Sequence, residues 1–202
     1  AGSQAGGFDA LILAVPAYRA ASLLAQEDEP LANDLRKIPY ASSAVIVTGH
    51  RLEDVAHPLN AFGLVVPTIE RSDVLAVSFA SRKFPNRAPE GRVLLRTFVG
   101  GAMRPEMLKK SDEELIALAR TELASLLGVS GSPDVAIVSR YENAMPQYHL
   151  GHLDLVRRIE AATSKHVGLE LTGSAYRGVG IPDVVADADR AAEAVFSQLM
   201  QN

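Results

Sequence analysis

A glycine-rich segment between an apolar run and an amphipathic stretch constrains this chain most. Residues 172–183 contain glycines at positions 173, 178 and 180. The apolar run 167–171 before it predicts a β-strand, and apolar residues from Val184 to Leu199 recur at the spacing of one helix face. Unpaired backbone N–H groups and the helix dipole favour an anion at such a helix start. The loop can therefore bind an anion or a cofactor, or its glycines can serve turn geometry alone.

Composition excludes several classes of protein. The 202 residues carry 20 basic and 24 acidic side chains, a net charge of −4, which argues against a general nucleic-acid surface. There is no cysteine, which excludes disulfides, thiolate catalysis and cysteine metal sites. No apolar run approaches the roughly 20 residues of a membrane span. Apolar residues make up 48% of the chain, enough for a substantial core.

The order of the predicted elements indicates a mixed α+β fold. Residues 1–7 are small and are expected to be flexible, and the apolar run 8–15 after them predicts a strand buried on both faces of a parallel sheet. This abrupt beginning fits either a native start or an internal fragment. A helix over 17–25 and an exposed acidic loop over 27–30 follow. Short linkers favour antiparallel pairing of four strands, predicted at 42–48, 62–66, 74–80 and 92–99.

The second half of the chain returns to alternating helices and strands. Ser111 and Glu114 form a capping-box pattern for a helix that runs to about Leu127 and covers one sheet face. A fifth strand over 135–141, a helix over 153–161 and a strand over 167–171 follow. We therefore predict an antiparallel sheet in the middle of the chain, flanked by pieces of an α/β domain.

Four segments together resemble one enzyme family. Residues 172–183 are joined by Ala-Met-Pro-Gln-Tyr-His-Leu-Gly-His at 144–152, Phe-Pro-Asn-Arg-Ala-Pro at 84–89 with Gly-Arg-Val-Leu-Leu at 91–95, and Phe-Gly-Leu-Val-Val-Pro at 62–67. In chain order, these four segments resemble segments of the protoporphyrinogen oxidases, FAD enzymes of the amine-oxidase-like flavoprotein group. Four segments in family order are far more specific than one glycine motif.

The resemblance implies a C-terminal fragment of a larger flavoenzyme. The family's Gly-x-Gly-x-x-Gly dinucleotide-binding motif does not occur in this sequence, and its membrane-associating insertion falls outside it. Residues 8–37 and 151–202 correspond to part of the FAD-binding domain, and residues 38–150 to the substrate-binding domain. Membrane association is expected only through the missing part, so the expected location is cytoplasmic, peripheral to the membrane at most. The oligomeric state stays open.

The implied activity is oxidation of protoporphyrinogen IX to protoporphyrin IX in haem biosynthesis, with FAD as the cofactor and the porphyrinogen as the partner molecule. The fragment alone is expected to be inactive. A coproporphyrinogen-oxidising variant and another flavin amine oxidase or desaturase are the enzyme alternatives. A non-enzymatic anion-binding domain is the alternative from a different class. No catalytic side chain is predicted, because the cofactor carries the hydride chemistry.

The resemblance also assigns site residues. It implies that residues 178–181 lie along the flavin and that the helix starting near Asp183 points its N-terminus at the pyrimidine edge of the flavin. Residues 173 and 174 are implied to lie nearer the phosphates. The implied cofactor contacts are Tyr141, Gly173, Ser174, Gly178, Val179, Gly180, Ile181 and Asp183. Substrate contacts are implied at Val65, Phe84 and Phe98.

These residues also have ordinary structural explanations. Tyr141 can be a core aromatic at a strand end, and Phe84 can be a turn anchor. Loop hydrogen bonding would account for Ser174. The alternation of the last predicted middle strand places Arg96 on a side that faces solvent or a cleft.

The histidines give no metal motif. His149 and His152 are three residues apart, but no third ligand lies nearby, and structural or surface roles are favoured. His50, His57 and His166 occur singly in predicted loops. We therefore predict no metal site.

Overall fold

The computed structural model describes residues 7–201. Almost all of the predicted flexible stretch 1–7 therefore lies outside the described residues. The strands, numbered in chain order, are β1 Leu11–Leu13, β2 Tyr40–Arg51, β3 Gly63–Val65, β4 Val74–Phe79, β5 Arg92–Gly100, β6 Val135–Pro146 and β7 Leu169–Leu171. The helices are α1 Ala17–Leu24, α2 Glu29–Arg36, α3 Ala80–Lys83, α4 Asp112–Leu127, α5 His152–Thr163 and α6 Ile181–Gln201.

The chain divides into two compact units. Unit 2 is Ala41–Ala144, and unit 1 is formed by the chain on either side of it, up to Tyr40 and from Met145. Unit 2 contains an antiparallel sheet, whereas unit 1 contains a parallel strand pair with helices. The predicted mixed fold class, with an antiparallel sheet in the middle of the chain, is confirmed.

Unit 1 is built around the parallel pair of β1 and β7. Leu11 lies opposite Leu169, and Leu13 lies opposite Leu171. One apolar core joins these strands to α1, α2 and α5, with the following members among others: Leu13, Ala17, Ala20, Leu31, Leu35, Val156, Ile159, Leu171 and Tyr176. The core packs the helices around the end of β7, from which the glycine segment departs.

Two predictions for unit 1 are wrong in part. Only residues 11–13 of the run 8–15 form a strand, and Leu11 and Ile12 remain 52% and 39% exposed, because β7 is the one strand that pairs with β1 among the described residues. The acidic run 27–30 is largely exposed as predicted but is a loop only in part: Glu27 lies in a turn, Asp28 is the N-cap of α2, and α2 begins at Glu29. Asp28 caps this helix by accepting a hydrogen bond from the Leu31 N–H, and its other oxygen lies 2.8 Å from His166 Nε2.

Unit 2 is a five-stranded sheet with the order β3-β4-β5-β2-β6. The four predicted middle strands are all present, and their antiparallel pairing is confirmed. β2 and β5 pair over nine positions, from Ser43 opposite Gly100 to Arg51 opposite Arg92. β6 is longer than predicted and extends to Pro146.

Helix α4 covers one face of this sheet, as predicted. Ser111 and Glu114 form the reciprocal capping box at its start, and Gly128 ends it in the left-handed conformation. Its residues Leu115, Ala119, Leu123 and Leu127 are buried in the same core as Ile46, Leu95 and other sheet residues. His50 lies buried in β2 and not in a loop, so that prediction is wrong. Within residues 7–201 no helix combines the length and apolar character needed to cross a membrane.

Candidate functional site

The glycine loop, residues 172–180, connects β7 to α6 in unit 1. Gly173 has a φ of +128°, a conformation that L side chains rarely adopt. A Cβ at this position would meet no atom within 4 Å, so the backbone conformation rather than crowding requires glycine there.

Gly178 and Gly180 are constrained for a different reason. A Cβ on Gly178 would lie 2.5 Å from the Asp183 Cβ, and a Cβ on Gly180 would lie 2.9 Å from its Oδ2. The carboxylate of Asp183, in the first turn of α6, therefore packs back over both glycines, where the helix dipole favours negative charge. The loop itself accounts for these two glycines, whether or not a cofactor is bound.

The end of the loop presents unused hydrogen-bond donors. Within the described residues, the N–H groups of Val179, Gly180 and Ile181 have no hydrogen-bond acceptor. Val179 is 62% exposed and Ile181 is 81% exposed, so these donors lie at the surface at the start of α6. Free N–H groups at a helix N-terminus suit an acceptor or an anion.

Asp187 holds the beginning of the loop. Its Oδ2 accepts hydrogen bonds from Thr172 Oγ1 at 2.8 Å and from the Gly173 N–H at 3.0 Å, and its Oδ1 accepts one from Arg177 at 2.7 Å. Arg190 adds a contact at 3.3 Å. The carboxylate is 2% exposed. Burial would raise the pKa of Asp187, but the hydrogen bonds from Gly173, Thr172 and Arg177 outweigh burial and lower it.

Two side chains of the 144–152 segment hold the middle of the loop. The Tyr148 hydroxyl donates a hydrogen bond to the Ser174 carbonyl at 2.6 Å, and His152 Nε2 donates one to the Tyr176 carbonyl at 3.1 Å. The two rings stack, with centroids 3.9 Å apart and planes inclined by 11°. Burial raises the pKa of Tyr148, which the nearby Gly178 backbone partly opposes. The structure thus brings two of the sequence motifs together.

Sequence reasoning did not predict the contacts of these three anchoring residues, although it favoured a structural or surface role for His152. Asp187 could have been suspected, because it lies four and eight residues before the buried Ala191 and Val195 and so puts a carboxylate on the buried side of α6. For Tyr148 and His152 the only available signal was their place in the motif, since their partners are 26 and 24 residues away.

The structure brings two of the three predicted substrate residues together. Val65 lies opposite Ala76, and Ala76 lies opposite Phe98, so the three side chains form one row across β3, β4 and β5. Val65 is 80% exposed. Phe84 instead lies in the β4–β5 connection, with the cations of Lys83 and Arg87 over its ring at 5.5 and 5.8 Å.

Tyr141, the remaining predicted flavin contact, belongs to β6 of unit 2 and is 46% exposed. It is therefore not a fully buried core aromatic. No cluster of three or more histidine, cysteine, aspartate or glutamate residues suited to a metal ion occurs in residues 7–201.

Comparisons with known proteins agree with the motifs. The chain is 30% identical to a coproporphyrinogen III oxidase of Staphylococcus aureus, over 85% of this chain and 37% of that protein. It is 30% identical to a mitochondrial protoporphyrinogen oxidase of Nicotiana tabacum, over 98% of this chain and 40% of that protein. The chain thus spans about two fifths of the length of these relatives.

A solved structure shows the same fold. The crystal structure of a proposed protoporphyrinogen oxidase from Exiguobacterium sp. 255-15 superposes with a TM-score of 0.78 and 27% identity, over 95% of this chain and 41% of that one. Residues 1–196 match the family described as flavin containing amine oxidoreductase. The chain therefore belongs to the flavin-containing amine oxidoreductase family.

Proposed function

We propose that this chain forms part of an FAD-dependent porphyrinogen oxidase that converts protoporphyrinogen IX to protoporphyrin IX. In this proposal, the pieces 8–37 and 151–202 contribute to FAD binding, and residues 38–150 contribute to substrate binding. Two kinds of finding support it: the family match, and relatives named for the oxidation of protoporphyrinogen or coproporphyrinogen.

The observation that best supports the proposal is that the glycine loop is held in place at its start and has unused hydrogen-bond donors at its end. Asp187, Tyr148 and His152 fix the backbone from 172 to 176, while the donors of residues 179–181 stay free at the surface. A fixed loop with free N–H groups needs little reorganisation to bind a ligand.

The residues present fit a flavin. Val179, Gly180 and Ile181 would hold it through their N–H groups, with Gly178 and Asp183 beside them. Ser174 and Gly173 would lie towards the phosphates, although the Gly173 N–H already donates to Asp187. Tyr141 would supply an aromatic wall. When bound, FAD would accept the hydride taken from the substrate, so the protein's own task is to bind, orient and exclude water.

Coproporphyrinogen is the second candidate substrate, because the Staphylococcus aureus relative, at 30% identity, and a Bacillus subtilis relative, at 31%, are named for its oxidation. Val65, Phe98 and Phe84 would contact either macrocycle, since both are large and apolar. We expect the 202-residue chain alone to be inactive and to hold FAD weakly, because its sequence has no Gly-x-Gly-x-x-Gly turn for the phosphates. The enzyme would act in the cytoplasm or at a membrane surface.

The test uses the complete gene product that contains this sequence. We expect it to purify with about one FAD per chain and to convert protoporphyrinogen IX or coproporphyrinogen III to the fluorescent porphyrin, and the ratio of the two rates names the substrate. A folded protein that binds no flavin and oxidises neither porphyrinogen would refute the proposal.

The variant Gly180→Val tests the loop itself. We expect it to lower the FAD content per folded chain while the thermal melting curve stays close to that of the parent. Ala186→Val, at an exposed position of α6, is the control for a β-branched residue in this helix. A double variant that combines Gly180→Val with Asp183→Ala removes the clash between the new side chain and the Asp183 carboxylate. The single variant Asp183→Ala is its reference. Full FAD content in Gly180→Val would show that the loop is only a turn.

A further inference from the structure

The face of the unit 2 sheet that points away from α4 is largely apolar and partly exposed. We call it the open sheet face. It carries the row formed by Val65, Ala76 and Phe98, and Leu94 lies on the same side of β5. A Cβ on Gly49, opposite Leu94, would lie 2.7 Å from Val135 Cγ1, which puts Val135 on this face too.

β6 extends the open sheet face. By strand alternation Ile137 and Tyr141 point to the same side as Val135. These three side chains are 55%, 46% and 44% exposed, respectively. The open sheet face therefore presents apolar and aromatic surface from β3 to β6.

Arg96 lies within this surface. It faces Val47 of β2 on one side and Ser78 of β4 on the other, and it is half-buried. Its guanidinium carbon lies 5.2 Å from the centre of the Phe98 ring, a cation–π contact that orients the side chain. In the described part of the chain its guanidinium has no ion pair and no hydrogen bond.

The other arginines of this face lie at one end of the sheet and are paired. Arg51 and Arg92 are opposite each other in the last register of β2 and β5. Arg92 forms an ion pair with Asp134, and Arg51 lies 3.5 Å from Glu53. Arg96 is four residues from Arg92, about 13 Å along the strand. The charge of Arg96 is thus the one on this face, within residues 7–201, that lacks an acidic partner.

A half-buried cation that has no partner on an apolar surface costs free energy unless a ligand supplies the opposite charge. The guanidinium fork matches a carboxylate, and the surrounding surface matches a broad apolar ring. A porphyrinogen combines these two features, because its apolar macrocycle carries propionate carboxylates. We propose, building on the function above, that Arg96 binds a propionate of the substrate while the macrocycle lies on the open sheet face.

The test measures binding of protoporphyrin IX and of its dimethyl ester to the 202-residue chain by porphyrin fluorescence. The two probes share the macrocycle, and the ester replaces the two carboxylates by uncharged methyl esters. We expect the parent chain to bind the acid about 10- to 100-fold more tightly than the ester, as loss of charge-assisted hydrogen bonds would predict. Arg96→Gln should lower the affinity for the acid to that for the ester, and Arg96→Lys should restore part of the preference.

Arg92→Gln is the matched control, because it removes the same charge from the same strand and face. It should keep the preference of the parent chain for the acid. If Arg96→Gln also keeps that preference, Arg96 is not the carboxylate anchor and this inference is wrong. If the parent chain binds neither probe, the open sheet face is not a porphyrin site and this inference is wrong, whereas the proposed function is decided separately by the oxidation assay on the complete gene product.

Discussion

Asp187 of unit 1 and a buried polar cluster of unit 2 differ in how fully their side chains are hydrogen-bonded. In unit 1, the buried Asp187 accepts hydrogen bonds from three donors of the glycine loop. In unit 2, the buried Thr48, His50 and Thr97 have no hydrogen-bond partner for their side-chain polar atoms among the described residues, and in unit 1 the same holds for the buried Tyr176 hydroxyl. A satisfied buried carboxylate fixes the backbone around it, whereas an unsatisfied polar group costs free energy and fixes nothing. The comparison teaches that burial of a polar residue alone does not identify a functional anchor.

The largest expected effect is the loss of stability when Asp187 is replaced. Asp187→Ala would leave Arg177, Thr172 and the Gly173 N–H without their acceptor. We expect the free energy of unfolding to fall by about 2–3 kcal/mol. This loss is at or below the lower end of the range for breaking a buried ion pair, because the Arg177 and Arg190 side chains are 35% and 39% exposed.

Urea unfolding followed by circular dichroism measures this loss. Asp187→Asn keeps one acceptor oxygen without the charge and should lose less. Asp189→Ala, which removes an exposed carboxylate from the same helix, is the control and should change stability by less than about 0.5 kcal/mol. An Asp187→Ala protein as stable as this control would contradict the anchoring role.

In unit 2 we expect substitution of buried polar residues to raise the free energy of unfolding rather than lower it. Replacing Thr48 and Thr97 by valine keeps the shape and removes two hydroxyls that have no partner. We expect the double variant to gain about 1–2 kcal/mol in the free energy of unfolding. The matched control is Thr172→Val, which deletes a hydroxyl bonded to Asp187 at 2.8 Å and should lose about 1 kcal/mol. A destabilised double variant would show that the unit 2 hydroxyls are bonded in solution.

The smallest expected effect is a difference between His50 of unit 2 and Asp187 of unit 1 in the pH range over which each contributes to stability. Burial lowers the pKa of His50, with Arg120 adding to the effect and Asp54 opposing it. An unfolded histidine titrates near pH 6.5, so the unfolded state takes the proton first. Stability contributed by neutral His50 is therefore complete above about pH 6.5 and falls as the pH drops towards the folded pKa.

Asp187 loses its contribution at lower pH. Its folded pKa lies below the unfolded value of about 3.9, so its stabilisation is complete above that pH and is lost as the pH falls through the folded pKa. His50→Leu should flatten the stability profile below about pH 6.5, and Asp187→Asn should flatten it only below about pH 4. Urea unfolding across this range measures both, and identical profiles of the parent and His50→Leu below about pH 6.5 would contradict the role given to His50.

Local sequence rules predicted the features that depend on neighbouring residues. The alternation of β5 and the capping box of α4 were readable because their signals lie within a few positions. The motif order likewise indicated the family. The exposure of Leu11 and Ile12 was not predictable, because it depends on how many strands pair with β1.

Long-range partners explain the rest of what sequence reasoning missed. Asp187 reaches Thr172 across 15 residues, and Tyr148 reaches Ser174 across 26. Arg96 was expected to face solvent or a cleft, but its missing partner becomes visible only when the paired strands are known. Of the predicted site residues, the structure brings Val65 and Phe98 into one row, and their role in binding stays a prediction.

Hydrogen exchange of the loop amides tests the central claim most directly, namely that Asp187 fixes the start of the loop while the donors at its end stay free for the flavin. The sample is the complete gene product that contains this sequence, measured with FAD and after FAD has been removed. We predict that the Gly173 amide exchanges slowly in both states, whereas the amides of Val179, Gly180 and Ile181 exchange fast without FAD and slowly with it. Equal exchange of these three amides in both states would contradict the account.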